Sequence, residues 1–292
     1  MSEVWRTHKW VQFLTLKKQF PGRDYLIVNL PKWFLPKAST PLDLKTSFGF
    51  DIHINPAEDE GIDRVIYERG MYEMGTMNFI QENLSAGGTF IDAGANIGVM
   101  SLAAAKTVGT QGRVLSFEPH PETRTILEKN IALNGFSQIE IQPLGLGSGR
   151  STGTLFSEEK NRGGASLIDY EENDEHGAEI QIASLDSLVE GLNLDKLDLI
   201  KIDIEGWEFE MLKGAKETLN KLRPALIVEI DLHRKLEGGT VAEMVDFLVE
   251  LGYEVYRFPE NKNHPGILVK LIGNNDLPEH DNLVFVHDKR DN

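Results

Sequence analysis

The stretch Phe90–Gly98, Phe-Ile-Asp-Ala-Gly-Ala-Asn-Ile-Gly, constrains the fold of this chain more than any other. Thr89, Phe90 and Ile91 form a short apolar run bounded upstream by Gly87 and Gly88, the pattern of a buried parallel strand. The chain then turns through Gly94 and Gly98 into Val99–Val108, whose Ala, Leu and Met content favours helix. A strand, a glycine turn and a helix N-terminus leave unpaired N–H groups in the crevice beyond the strand's carboxyl end. Glycines there let a ligand approach the backbone. The run Arg113–Phe117 reads as a second strand that ends on Glu118, whose two oxygens suit a pair of ribose hydroxyls. An open α/β sheet with a nucleoside site is the expectation.

The glycine spacing narrows the nucleoside. A dinucleotide turn wants G-x-G-x-x-G wrapped around a pyrophosphate. Here Asn96 replaces the middle glycine and Asp92 precedes the turn. A carboxylate repels a pyrophosphate but attracts a cationic amino-acid head group. S-adenosylmethionine, with its ammonium and sulfonium, fits where NAD does not. Asp92, Gly94, Ala95, Asn96, Gly98, Glu118 and Pro119 are its candidate contacts. A glycine turn beside a solvated Asp in an ordinary α/β protein is the plainer alternative, and Glu118 at this distance weighs against it.

At 292 residues the chain has room for a nucleotide-binding domain of about 200 residues and one extension. We divide it into an N-terminal cap, 1–60, that selects substrate, and a cofactor domain, 61–292. The chain has no cysteine, which removes disulfides, thiolate zinc sites and a cysteine nucleophile. With no signal-peptide pattern and no apolar run near ~18 residues, a cytoplasmic protein without membrane insertion is expected. The net charge of −16 argues against a nucleic-acid substrate. It is uneven: residues 1–50 carry eight Lys or Arg and three Asp or Glu, a net of +5, so the remainder carries −21.

Trp5, Trp10, Phe13 and Leu14 fall at near-helical spacing with Lys9, Lys17 and Lys18 among them, an amphipathic helix for packing on the body or on a second copy. Tyr25–Leu30 reads as a strand, the prolines Pro31, Pro36 and Pro41 as a loop carrying Trp33 and Phe34, and Phe48–Ile54 as a second strand. Together they predict a β-rich cap. Asp63–Leu84 reads as one helix. Beyond Glu118, alternating helices and strands predict a doubly wound, Rossmann-like, mostly parallel sheet of seven strands. The last strand, near Leu283–His287, runs antiparallel, because no helix separates it from Tyr253–Phe258. The turn Leu144–Gly149, with Gly145, lies where an adenine rests. Residues 157–177 read as a mobile substrate loop or a plain surface insertion.

Ligands of such sheets sit beyond the strands' carboxyl ends. The fourth strand brings Asp203 and Glu205 there, and the fifth Glu229 and His233. Methyl transfer from a sulfonium needs alignment and removal of a hydroxyl proton. These four residues are the pool for a general base, or the carboxylates among them for a divalent metal. Each also has an ordinary structural reading, as an ion pair, a helix cap or an exposed loop histidine.

Asp92-Ala-Gly-Ala-Asn-Ile-Gly98, Phe117-Glu-Pro119, Ser184-Leu-Asp-Ser-Leu188 and Lys201-Ile-Asp-Ile-Glu-Gly206 resemble the FkbM-type S-adenosylmethionine-dependent methyltransferases. Glu208, Lys213-Gly-Ala215 and Arg223-Pro224 leading to Glu229 continue the likeness over roughly residues 65–258. The resemblance implies a cofactor-contacting role for Tyr72 and Glu73, and O-methylation of a hydroxyl on a sugar, glycan, glycolipid or macrolide-like product. A polyketide acceptor, or a non-catalytic cofactor-binding module, is the alternative.

Overall fold

The computed structural model describes residues 3–16, 20–158, 161–167, 177–272 and 274–287. Its centre is an eight-stranded mixed sheet in which Thr89–Ala93 is buried along its whole length. Arg113–Phe117 and then Ile139–Gln142 lie parallel on one side of it, and Leu199–Ile202 and Ala225–Asp231 parallel on the other. The order therefore reverses at Thr89–Ala93, the switch point where a ligand crevice opens in such sheets. Register places Ser116 and Lys201 on either side of Asp92.

His280–His287 runs antiparallel between Ala225–Asp231 and Tyr253–Arg257, as expected. The eighth strand, beyond the seven expected, is the two-residue Val269–Lys270 at the edge, too short to leave a periodic pattern. Successive residues of a strand face opposite ways, so Phe90 and Ile91 enter different cores. Ile91 packs with Leu212 and Met244 on one face of the sheet, and Phe90 with Leu102 and Ile227 on the other.

Three expectations change. Tyr25–Leu30 is not a strand but the middle of the helix Arg23–Phe34, with Pro31 inside it. Arg23, Ile27 and Pro31 are its buried residues, while Tyr25 and Trp33 between and beyond them are exposed. This four-residue period suits a helix and not the two-residue period of a strand. Packing against the helix Glu3–Leu16 outweighs the strand preference of the Tyr, Ile and Val in that run. The cap is therefore a helical hairpin followed by the two-stranded Leu42–Lys45/Asp51–Ile54 ribbon, not a β-rich unit. Leu14 is buried with Val11, Ile27, Met71 and Met74, while Trp10 and Phe13 are exposed. The Trp5 side chain, Lys17 and Lys18 lie outside the described residues.

Asp63–Leu84 is likewise two helices, Ile62–Arg69 and Met74–Asn83, parted at a left-handed Gly70. Finally, Asn161–Ser166 of the expected loop is a strand. It joins Ser151–Glu158, Ala178–Ala183 and Gly145–Leu146 in a second, four-stranded sheet beside the crevice. Residues 168–176 of that loop lie outside the described residues.

Candidate active site

A cleft of about 1080 Å³, open to solvent, lies over the carboxyl ends of the central strands. Its cofactor-side wall is the glycine turn. Gly94 has φ +82°, and a Cβ there would stand 1.8 Å from the Asp203 carbonyl oxygen, so only glycine lets the first and fourth strand ends approach this closely. The Gly94 and Ala95 N–H groups donate to the Phe117 carbonyl at 3.1 and 3.0 Å, tying the turn to the second strand. Gly98 caps the following helix against Leu127 and does not line the cleft.

Glu118 is buried, and its two oxygens accept the Asn96 and His120 N–H groups, each at 2.8 Å. Burial, against those two bonds, pushes its pKa up to about 7. Asp92 accepts from the Ser101 hydroxyl at 2.5 Å, and Ser101 and Ser116 share a bond at 2.7 Å. Its pKa is pushed up to about 6, again chiefly by burial. Tyr72, Asn96, Pro119 and Gly145 line the same cleft. Trp207 Nε1, a buried donor at its wall, has no acceptor among the described residues. Paired acceptor oxygens, an apolar wall that includes Met100, Leu144 and Ile180, and an orphaned donor fit an adenosyl group carrying an ammonium.

Asp203, Glu205 and Glu229 line the same cleft. Lys201, buried in the sheet, reaches Asp203 at 3.1 Å. Burial pushes Asp203 up, yet Lys201 and a bond from Glu229 hold it well below the ordinary carboxylate range. Glu229 moves the other way, raised by burial and by the Asp203 charge. The two therefore behave as one pair that shares a proton.

Glu205 has a left-handed backbone and pairs with Arg234, which turns its carboxylate away from free service as a base. Glu208 holds that turn in place, accepting the Ile204 and Gly206 N–H groups at 3.0 and 3.1 Å. Glu73 is brought to Asp203 and Glu229, with one oxygen from each within 4.8 Å of the others, and does not line the cofactor wall. It accepts from Asn282 at 2.8 Å and pairs with Lys262 at 2.9 Å.

His233 is not brought to the cleft. Its side chain is 73% exposed and faces Glu279 at 3.6 Å. The fifth strand runs on through Asp231, whose carboxylate accepts the His233 N–H and closes an outward turn. Instead the antiparallel last strand delivers His280, which lies 3.6 Å from Glu229 and 3.3 Å from Asp231. An antiparallel strand enters the sheet at the edge where parallel strands leave it, so the residues preceding Leu283 were the signal for this. Lys262, His280, Ser101 and Arg162 are the site residues that sequence reasoning missed. Arg162 lines the cleft and bonds Asp63 at 3.0 Å, so the second sheet is pinned across the opening.

A family model described as the methyltransferase FkbM domain matches residues 92–255. The methyltransferase sdnD of Sordaria araneosa is 30% identical over 205 residues, 60% of this chain and 77% of that one. The hexuronic acid methyltransferase AglP of Haloferax volcanii is 25% identical over 222 residues, 75% of this chain and 87% of that one. Among solved structures, the FkbM methyltransferase of Methylobacillus flagellatus aligns over 98% of this chain and 60% of its own, at 15% identity and a TM-score of 0.45.

Proposed function

We propose, for a chain that belongs to the FkbM methyltransferase family, that it methylates a hydroxyl oxygen of a sugar, glycan or glycolipid with S-adenosylmethionine as donor. The observation that carries this is the continuity of one cleft: Glu118 and Asp92 line it together with the proton-sharing pair Asp203 and Glu229. Bound S-adenosylmethionine supplies an electrophilic methyl on a sulfonium leaving group. Glu118 would accept from the ribose hydroxyls, and Asp92 would face the amino-acid end. The second sheet, through Arg162 and Ala165, narrows the acceptor's approach. The Asp203–Glu229 pair would take the proton of the acceptor's hydroxyl as that oxygen receives the methyl group and S-adenosylhomocysteine departs. Alignment within this one cleft contributes the remainder of the acceleration.

A polyketide or other secondary-metabolite hydroxyl is the second reading, and an identified product separates the two. The protein is incubated with deuteromethyl S-adenosylmethionine and glycan or small-molecule extracts of its native organism, and products are fragmented by mass spectrometry. A deuteromethyl ether on a sugar ring is expected. Label on nitrogen or carbon, or binding of S-adenosylhomocysteine with no labelled product in any extract, overturns the proposal.

A further inference from the structure

Glu73, Asp203 and Glu229 come from three separate segments, and their carboxylates converge as the ligands of a divalent cation would. An ammonium is already there. Lys262 Nζ contacts Glu229 and lies 2.9 Å from Glu73, with its side chain only 12% exposed. Its backbone is fixed at both ends. The Lys262 carbonyl accepts the Gly75 and Thr76 N–H groups at the start of the helix Met74–Asn83, at 2.9 and 3.2 Å. The Lys262 N–H donates to Asp281 at 2.7 Å. Gly75 is itself a requirement of this arrangement, since a Cβ there would stand 2.8 Å from the Lys262 carbonyl oxygen. Lys262 thus does not wander in from solvent; two elements hold it over the trio.

We propose that the Lys262 ammonium is a built-in substitute for a divalent cation among Glu73, Asp203 and Glu229, so that this cleft positions its proton-accepting carboxylates without metal. Lys262 does not line the cleft, so it is a positioning residue: it neutralises Glu73 and keeps Glu229 turned toward Asp203. With Lys201 on Asp203, two ammoniums face Glu73 and the proton-sharing pair, so the trio's charge is offset without a metal. The proposal rests on the methyltransferase reading of the cleft, but it is decided by a binding measurement that needs no turnover.

The measurement is thermal melting of the full chain with Mn²⁺ alone, for the wild type, Lys262→Ala and Lys262→Met. Methionine keeps the apolar stem where alanine risks unfolding. The wild type is expected to melt at one temperature with or without Mn²⁺, and EDTA to leave its turnover unchanged. At least one folded variant is expected to gain a saturable stabilisation by Mn²⁺, because the vacated trio then binds the metal, while turnover falls at least tenfold. Stabilisation of the wild type by Mn²⁺, loss of wild-type turnover in EDTA, or folded variants without any Mn²⁺ response overturns the substitution. Absence of any methylated product from the wild type strikes the methyltransferase reading instead, and leaves the melting comparison standing.

Discussion

At Glu118, burial and function pull in opposite directions. The group's pKa rises from the ordinary 4.5 to about 7 through burial, so the folded, ligand-free protein holds this proton more tightly than the unfolded chain does. Its contribution to stability is therefore complete below pH 4.5 and is lost as the pH rises through about 7. A ribose needs the ionised form, so S-adenosylhomocysteine is expected to bind more weakly below pH 7, by up to about tenfold per unit. Calorimetry across this range tests it, and in Glu118→Gln the slope should flatten. Glu118→Ala should cost about 1.5–3 kcal/mol of binding at neutral pH, from loss of a charged acceptor. In the acidic pair, Asp203→Asn and Glu229→Gln should each lower kcat by about 10²–10⁴-fold with cofactor affinity nearly unchanged. His233→Ala should leave kcat as it is, since that side chain faces solvent. Asp92, Glu118, Asp203 and Glu229 were legible in the sequence because each stands at or near the carboxyl end of a parallel strand. His280 and Lys262 were not, because their place depends on how the stretch 259–282 folds back, which no local period encodes.

Among the elements, the strand–turn–helix at Phe90–Val108 and the sheet order around it were legible, since a buried strand and a glycine turn leave strong local marks. The glycines within it are not equivalent. Gly94→Ala drives a Cβ into the Asp203 carbonyl at a left-handed φ, and should cost roughly 2–4 kcal/mol and abolish cofactor binding. Gly135→Ala, also at positive φ but with nothing within 4 Å of the added carbon, should cost only about 1–2 kcal/mol and spare binding. Chemical denaturation of both variants separates backbone strain from the contact between the two strand ends. The helix Arg23–Phe34 escaped sequence reasoning because its Tyr, Ile and Val favour strands. Its helical form follows from a partner helix that a local reading does not see. The break at Gly70–Glu73 was missed in a similar way: Gly70 lies inside the stretch read as one helix, yet it ends one helix and lets Glu73, at φ +40°, turn toward Lys262.

Across the whole molecule, the N-terminal segment meets the chemistry indirectly. Among the described residues, none of 1–60 lines the cleft, which begins with Ile62 and Tyr72. The link runs through Arg23, a fully buried guanidinium that bonds Glu260 at 2.6 Å and His264 at 3.2 Å, on either side of Lys262. Glu260 is held below its ordinary pKa chiefly by that bond. Arg23 therefore braces the turn that sets Lys262 over Glu73 and Glu229. Trp33, more than half exposed on the same helix, packs edge-on against the Tyr25 ring and lies off this path. Two substitutions separate support of the site from choice of acceptor. Arg23→Met removes the brace and keeps the apolar stem. It should lower stability by about 1.5–3 kcal/mol, the range for a hydrogen bond to a charged group. It should also lower kcat while S-adenosylhomocysteine affinity holds, since the cofactor wall belongs to other elements. Trp33→Ala should leave stability, cofactor affinity and kcat near wild type, and raise KM only if the acceptor is long enough to reach the helical hairpin. Steady-state kinetics on a folded Arg23→Met protein decide the matter: wild-type kcat beside a lowered melting temperature would mean that the hairpin stabilises the fold without reaching the site.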